Sequence, residues 1–163
     1  MNSLTQIIKG ARVEELPERI SELLNKVRDI EKELSGLRSQ AAFAQVNDIA
    51  KTATVINGVT TTLATLSDGI SGDDLRAIAL ELRNKAANSV VALISLNDGK
   101  PVLVVAVSDQ GRSAGIKAGA LVKIGSVVLG GGGGGKDDFA QGGGTQSSKV
   151  NEALAAIATA IAG

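Results

Sequence analysis

Apolar residues fall at Leu16, Ile20, Leu23, Val27, Ile30, Leu34, Leu37, Ala41 and Ala44, spaced alternately by four and three without a break. A helix carrying that pattern holds one narrow apolar seam, here sustained for about four heptads. The positions between carry Glu, Lys and Arg in mixed order, a solvated surface. Pro17 suits the first turn, where a missing amide hydrogen costs little. So narrow a seam needs a partner, and no second heptad helix occurs in the chain. The partner is a second copy, the neighbouring globular part, or further sequence of a larger protein. A plain spacer packed on its own domain is the simpler alternative. The seam ends in Ala41 and Ala44, small enough for close approach.

The pattern changes after Asn47. Val59 to Leu66, rich in β-branched residues, reads as a strand. Ser71 and Asp74 then have capping-box spacing, and Leu75, Ile78, Ala79, Leu82 and Ala86 share one helical face. Two nearly continuous apolar runs, VVALISL and PVLVVAV, flank Asn97-Asp98-Gly99-Lys100 and predict a hairpin. Their continuity implies burial on both faces, with helices covering the sheet. Lys117 to Val128 is a further helix, with Ser113 as its start, and an Ala-rich helix follows from about Ser148 to Ile161. The fold class is α+β: a long coiled-coil-like N-terminal helix, then a small sheet covered by helices. Residues 1–50 form the arm and 51–163 the globular domain.

Composition narrows the chemistry. The 163 residues are 44% hydrophobic but only 1% aromatic: Phe43 and Phe139, with no Trp or Tyr. The core is therefore built from Leu, Ile, Val and Ala. There is no histidine and no cysteine. Imidazole bases, Ser-His and Cys-His nucleophile pairs and His- or Cys-ligated metals are thus excluded, while carboxylate and lysine chemistry stay open. Net charge is +0, although Lys100, Arg112, Lys117, Lys123, Lys136 and Lys149 outnumber Asp109, Asp137 and Asp138 in the region around the glycines. No run approaches the roughly 20 apolar residues of a membrane span, and no basic-then-apolar leader opens the chain. A soluble, cytoplasmic protein is expected.

The stretch LGGGGGGKDDFAQGGGTQ, Leu129 to Gln146, stands apart, with Gly130 to Gly135 all glycine. A flexible linker is one reading. Against it stand the specific insert Lys-Asp-Asp-Phe-Ala-Gln and the helices expected on both sides. The functional reading is a loop whose bare backbone adopts positive φ and lets consecutive amides converge on phosphate oxygens. It is neither a nucleotide-hydrolase phosphate loop nor a dinucleotide fingerprint.

This stretch resembles the glycine motif of the C-terminal domain of alanyl-tRNA synthetases, a DHHA1-type fold shared with the accessory domain of DHH phosphoesterases. That family's pattern runs roughly Gly-Gly-x-Gly-Gly-Gly-Arg-Pro-Asp-Met-Ala-Gln-Ala-Gly-Gly. Its glycines fall on Gly130, Gly131, Gly133, Gly134, Gly135, Gly143 and Gly144, its arginine on Lys136, its aspartate on Asp138, and its Ala-Gln on Ala140 and Gln141. Gly132, Asp137, Phe139 and Gly142 depart from it. LPERISELLNKVRDIEKELSGL, LRNKAANSVVALIS, DGKPVLVVAVS and IKAGALVK are similar to other family segments, in the same order.

The resemblance implies a non-catalytic module that binds tRNA(Ala) at its outer corner, helps couple aminoacylation to editing, and oligomerises. Its partners would be tRNA, the other synthetase domains and a second copy, with no membrane. ATP, Mg2+ and Zn2+ would serve other domains, and this chain would hold no cofactor and no metal. RNA contact is expected from Gly131, Gly133, Gly134, Gly135, Lys136, Gln141, Gly143, Gly144, Arg112, Lys117 and Lys123. Phe139 would either stack on a base or pack in the core. Pairing of copies is expected through Leu16, Ile20, Leu23, Val27, Ile30, Leu34 and Leu37. The alternatives are a purely structural dimerisation domain and, last, a phosphoesterase accessory domain.

Overall fold

A computed structural model describes residues 16–163; the leader expectation and the start of the predicted arm lie outside the described residues. The chain falls into two compact units, the first ending at Gly36 and the second Leu37–Gly163. Helix α1, Leu16–Ala44, runs through both. In the first unit it exposes its seam: Ile20, Leu23, Val27, Ile30 and Leu34 all stand open to solvent, from 45% to 63%, and Leu16 is half-buried.

Within Leu37–Gly163 the last turns of α1 present a different stripe to the domain. Ser39 and Ala42 are buried and Phe43 half-buried, while Leu37, Ala41 and Ala44 remain exposed. The expected close approach through Ala41 and Ala44 is therefore not made with this domain. The docking stripe, continued by Val46 of α2 (Val46–Lys51), is offset from the seam around the helix. Leu37, the last large residue of the seam, is thus left exposed.

The order continues with β1 (Thr54–Ile56), β2 (Val59–Thr65), α3 (Gly72–Arg83), β3 (Ser89–Asn97) and β4 (Lys100–Val107). Then come α4 (Asp109–Ser113), α5 (Ala118–Val128), β5 (Gly132–Gly135), β6 (Phe139–Gly143) and α6 (Val150–Ala162). The six strands form one sheet in the order β1-β2-β3-β4-β6-β5. Among the described strands only β2 and β3 run parallel, because α3 makes the crossover between them.

Successive residues of a strand point to opposite faces, and β3 and β4 are apolar on both. Val90, Ala92, Ile94, Leu103 and Val105 pack under α5 and α6. Val91, Leu93, Val104 and Ala106 pack under α3 and the Ala42–Val46 corner. The continuous runs were readable for that reason. Asp98 (φ 50) and Gly99 (φ 75) turn the β3–β4 hairpin with both central residues at positive φ, and Asn97 pairs with Lys100.

Ser71 caps α3: its hydroxyl accepts from the Asp74 amide at 3.1 Å and donates to the Asp74 carboxylate at 2.6 Å. The buried Ser39 hydroxyl of α1 donates to the same carboxylate at 2.7 Å, tying the two helices together. These bonds, Ser71's first, hold the Asp74 carboxyl below the usual range against the opposing effect of burial.

Two boundaries differ from expectation. Helix α3 ends at Arg83, leaving Ala86 beyond it. Ser113 ends α4 rather than starting α5, whose N-cap is Lys117 with no side-chain cap; Ser108 caps α4.

Candidate nucleic-acid interface

The glycine stretch is neither a linker nor a phosphate-gripping loop. Gly132–Gly135 is a strand, antiparallel to Phe139–Gly143, which itself pairs with β4 in the middle of the sheet. Of the six consecutive glycines, only Gly130 has positive φ. The amides of β5 therefore alternate in direction instead of converging, and the expected nest does not form. Glycine is required here for space. Helix α5 crosses directly over the hairpin, and a Cβ on Gly133 would lie 2.5 Å from the Gly142 Cα and 2.6 Å from a Val122 methyl. Cβ atoms on Gly131, Gly143 and Gly144 would strike backbone oxygens, and one on Gly142 would strike the Ser126 hydroxyl.

The other face is bare. A Cβ on Gly132 or Gly134 would meet nothing within 4 Å. Gln141 pairs with Gly134 across the ladder and shares this face, where it is exposed. Phe139 lies on the same face, half-buried against the Val104 and Ala106 cluster. The Arg76 guanidinium of α3 covers its ring at 4.6 Å from the centroid, a cation–π contact. Arg76, Gly134, Gly135, Lys136, Asp138, Phe139, Ala140 and Gln141 line a hollow of about 340 Å³. Two cations and one carboxylate thus border it.

The edge adds main-chain groups. Lys136 N–H donates to the Phe139 carbonyl, so by antiparallel alternation Gly134 and Gly132 bond to β6 while Gly133 and Gly135 turn outward. Amides at a free sheet edge are ready anion donors. The Gly135 carbonyl backs onto Gly119 of α5, within 3.2 Å of where a Cβ there would lie.

The structure brings Gly133, Gly134, Gly135, Lys136 and Gln141 together. It places Gly131, Gly143 and Gly144 where backbone packs tightly. Lys123 belongs to α5, on the opposite face of the sheet, and Lys117, the N-cap of that helix, lies 3.5 Å from Asp137 in the turn between β5 and β6. Arg112 is paired with Asp109 on α4. Sequence reading missed Arg76, which sits among the polar residues of an amphipathic helix and carries no local mark of a site. Among the described residues no group of three or more His, Cys, Asp or Glu could hold a metal ion, and no helix is long and apolar enough to cross a membrane.

Residues 54–163 match the model of the DHHA1 domain, and the chain belongs to that family. Its relatives narrow the kind of DHHA1 domain. Over 159 residues it is 42% identical to an alanine–tRNA ligase of Kocuria rhizophila, a match covering 96% of this chain and 18% of that protein. The C-Ala domain of Aquifex aeolicus alanyl-tRNA synthetase superposes with a TM-score of 0.64 at 28% identity, over 69% of this chain and 99% of that one. RecJ of Thermus thermophilus, solved with Mg2+, shares the fold alone: TM-score 0.52 and 13% identity, over 95% of this chain and 22% of that one. The resemblance carried by the glycine motif is borne out: this is a C-terminal domain of the alanyl-tRNA synthetase kind.

Proposed function

We propose that this domain binds transfer RNA on the bare face and free edge of the β5–β6 hairpin, as a non-catalytic part of a cytoplasmic alanyl-tRNA synthetase. In that role it holds the outer corner of tRNA(Ala) while aminoacylation and editing proceed on other domains, where ATP, Mg2+ and Zn2+ act. This chain has no histidine or cysteine with which to hold that zinc. The observation that carries the reading is the ledge itself. Gly132 and Gly134 offer a face without side chains, bordered by Arg76, Lys136 and Gln141.

RNA is recognised largely through shape, phosphate and 2′-hydroxyl contacts. A strand of bare glycine lets a sugar–phosphate backbone approach main-chain donors directly. Arg76 and Lys136 supply the charge, Gln141 an amide for ribose or base edges, and the Arg76–Phe139 pair a flat surface for stacking. Asp138 at the rim opposes phosphate, and the whole chain is neutral. Binding is accordingly weak and falls steeply with salt.

The test is a titration of tRNA at several salt concentrations. Arg76→Ala and Lys136→Ala each weaken binding and lower the slope of log K against log salt by roughly 1. Lys123→Ala, on the opposite face, leaves both unchanged. Equal losses from all three variants, or no binding at low salt, would discard the proposal.

The exposed seam of α1 favours a second element of the same reading, pairing of two copies. With Ile30 63% and Leu23 52% exposed, the single chain leaves a continuous apolar stripe in water. If pairing occurs without RNA binding, the domain is a purely structural dimerisation module.

A further inference from the structure

We infer that Asn57-Gly58 is a site of spontaneous covalent modification, at which Asn57 loses its amide and becomes aspartate or isoaspartate, and that the last turn of α6 controls the reaction. Asn57 is the one asparagine of the chain followed by glycine. The pair turns β1 into β2 at φ 48 and φ 75, and both residues are exposed. The Gly58 main-chain N–H has no hydrogen-bond partner among the described residues. A Cβ on Gly58 would meet nothing within 4 Å, so neither a side chain nor a neighbour shields that nitrogen.

The reaction needs only these two residues and water. The Gly58 nitrogen bonds to the Asn57 Cγ as the Cγ–Nδ2 bond breaks. The proton of that nitrogen leaves with Nδ2 as ammonia, and a five-membered succinimide remains. Water then splits the ring. Cleavage of the new bond at Cγ gives aspartate. Cleavage at the Asn57 main-chain carbonyl gives isoaspartate, which routes the backbone through the side chain and lengthens it by one atom. Nothing is oxidised or reduced.

Helix α6 restrains the leaving group. Asn57 Nδ2 donates to the Ala162 carbonyl and, at 3.4 Å, to the Ile161 carbonyl. Such carbonyls find no partner within their own helix, so Asn57 fastens the end of α6 to the β1–β2 turn. The Gly58 carbonyl is held in turn by Asn88 Nδ2 at 2.9 Å. Ring closure therefore waits until the last turn of α6 frays and lets Nδ2 go, and helix ends open at low cost.

Conversion removes the fastening. The product sets a carboxylate, which has no hydrogen to donate, against two carbonyls at the negative end of the helix dipole. Ile161 is 5% exposed and shares a core cluster with Val59, and Ile56 packs against the same cluster. Release of the last turn of α6 thus loosens the β1–β2 hairpin as well. Asp98-Gly99 makes a turn at nearly the same angles, φ 50 and φ 75, but closes the same ring only by losing water, so it serves as an internal reference.

The test incubates the full chain in mildly alkaline buffer and follows it by peptide mass mapping, with enzymatic methylation to mark isoaspartate. Asn57 should convert ahead of every other asparagine and ahead of Asp98. Ala160→Gly, an exposed change in the last turn of α6, should speed that conversion roughly three- to five-fold through the helix propensity it forfeits. Asn57→Asp should lower the melting temperature by a few degrees and raise amide exchange from Thr159 to Ala162. A different asparagine converting first overturns the site. An unchanged rate in Ala160→Gly overturns the control by α6, and an Asn57→Asp protein that melts and exchanges like the parent overturns the consequence.

Discussion

Gly133→Ala and Gly134→Ala place the same methyl group one residue apart on one strand, and they should do opposite things. The Gly133 methyl would lie 2.5 Å from the Gly142 Cα, 2.6 Å from Val122 and 2.7 Å from the Gln141 carbonyl oxygen. Two of those neighbours are backbone, so relief requires lifting α5 or opening the β5–β6 ladder. Overpacking of that kind costs about 1–3 kcal/mol, and backbone neighbours put this case at the upper end. For a chain of this size that lowers the melting temperature by about 6–12 °C. The Gly134 methyl meets nothing within 4 Å, and Gly134 is not at positive φ. Replacing a compatible glycine restricts the unfolded chain and stabilises by about 0.4–1 kcal/mol. Gly134→Ala should thus melt at or slightly above the parent, while the methyl stands on the face assigned to RNA and weakens tRNA binding. With no Trp or Tyr, the melts are followed by far-UV circular dichroism. Equal melting temperatures would refute the close-packing argument. A Gly134→Ala protein as unstable as Gly133→Ala would show that the face is not open.

Ser126 makes a related case, its hydroxyl buried without a hydrogen-bond partner among the described residues and occupying the space a Cβ on Gly142 would need. Ser126→Ala should therefore be close to neutral in thermal melts, and Gly142→Ala should destabilise less in the Ser126→Ala background than alone, by about 1 kcal/mol of coupling; additive effects would count against that contact. Asp74 has a folded-state pKa below its unfolded value of about 3.9. Its contribution is then complete above about pH 4 and is lost as pH falls through the folded pKa. Asp74→Asn should lower the melting temperature at pH 7 and flatten its decline in acid, and an unchanged acid slope would contradict this. Leu23→Asp with Ile30→Asp should leave the chain monomeric in sedimentation while the melting of Leu37–Gly163 stays the same, since neither residue belongs to that unit.

The seam of α1 was legible because a heptad needs only apolar residues at fixed intervals. The β3–β4 turn was legible because Asp98-Gly99 suits two positive φ values. Asn57-Gly58 carries the same mark (φ 48 and φ 75) and turns β1 into β2. That strand was missed because Thr54–Ile56 is too short for alternation to register. Strand β5 could not be read locally at all, since four glycines have no preference for extended structure. Its conformation is imposed by β6 beside it and α5 above it. For the same reason Arg112, Lys117 and Lys123 were grouped with the glycines by nearness along the chain, whereas Lys123 sits on α5 across the sheet from the bare face, and Arg112 and Lys117 are taken up by Asp109 and Asp137. Arg76 reaches the hairpin only through the packing of α3, which no spacing announces.

An open strand at the end of a sheet ordinarily invites further strands, and with them aggregation. Strand β5 leaves that invitation half made. Its outward amides have no partner among the described residues, but no side chain stands there to interlock with an incoming segment, and stacked assemblies depend on such interlocking. A glycine edge also has the highest entropic penalty to ordering on any new partner's terms. The hairpin can therefore keep main-chain groups uncovered for a ligand without seeding polymers, a safeguard achieved by omission instead of by charge.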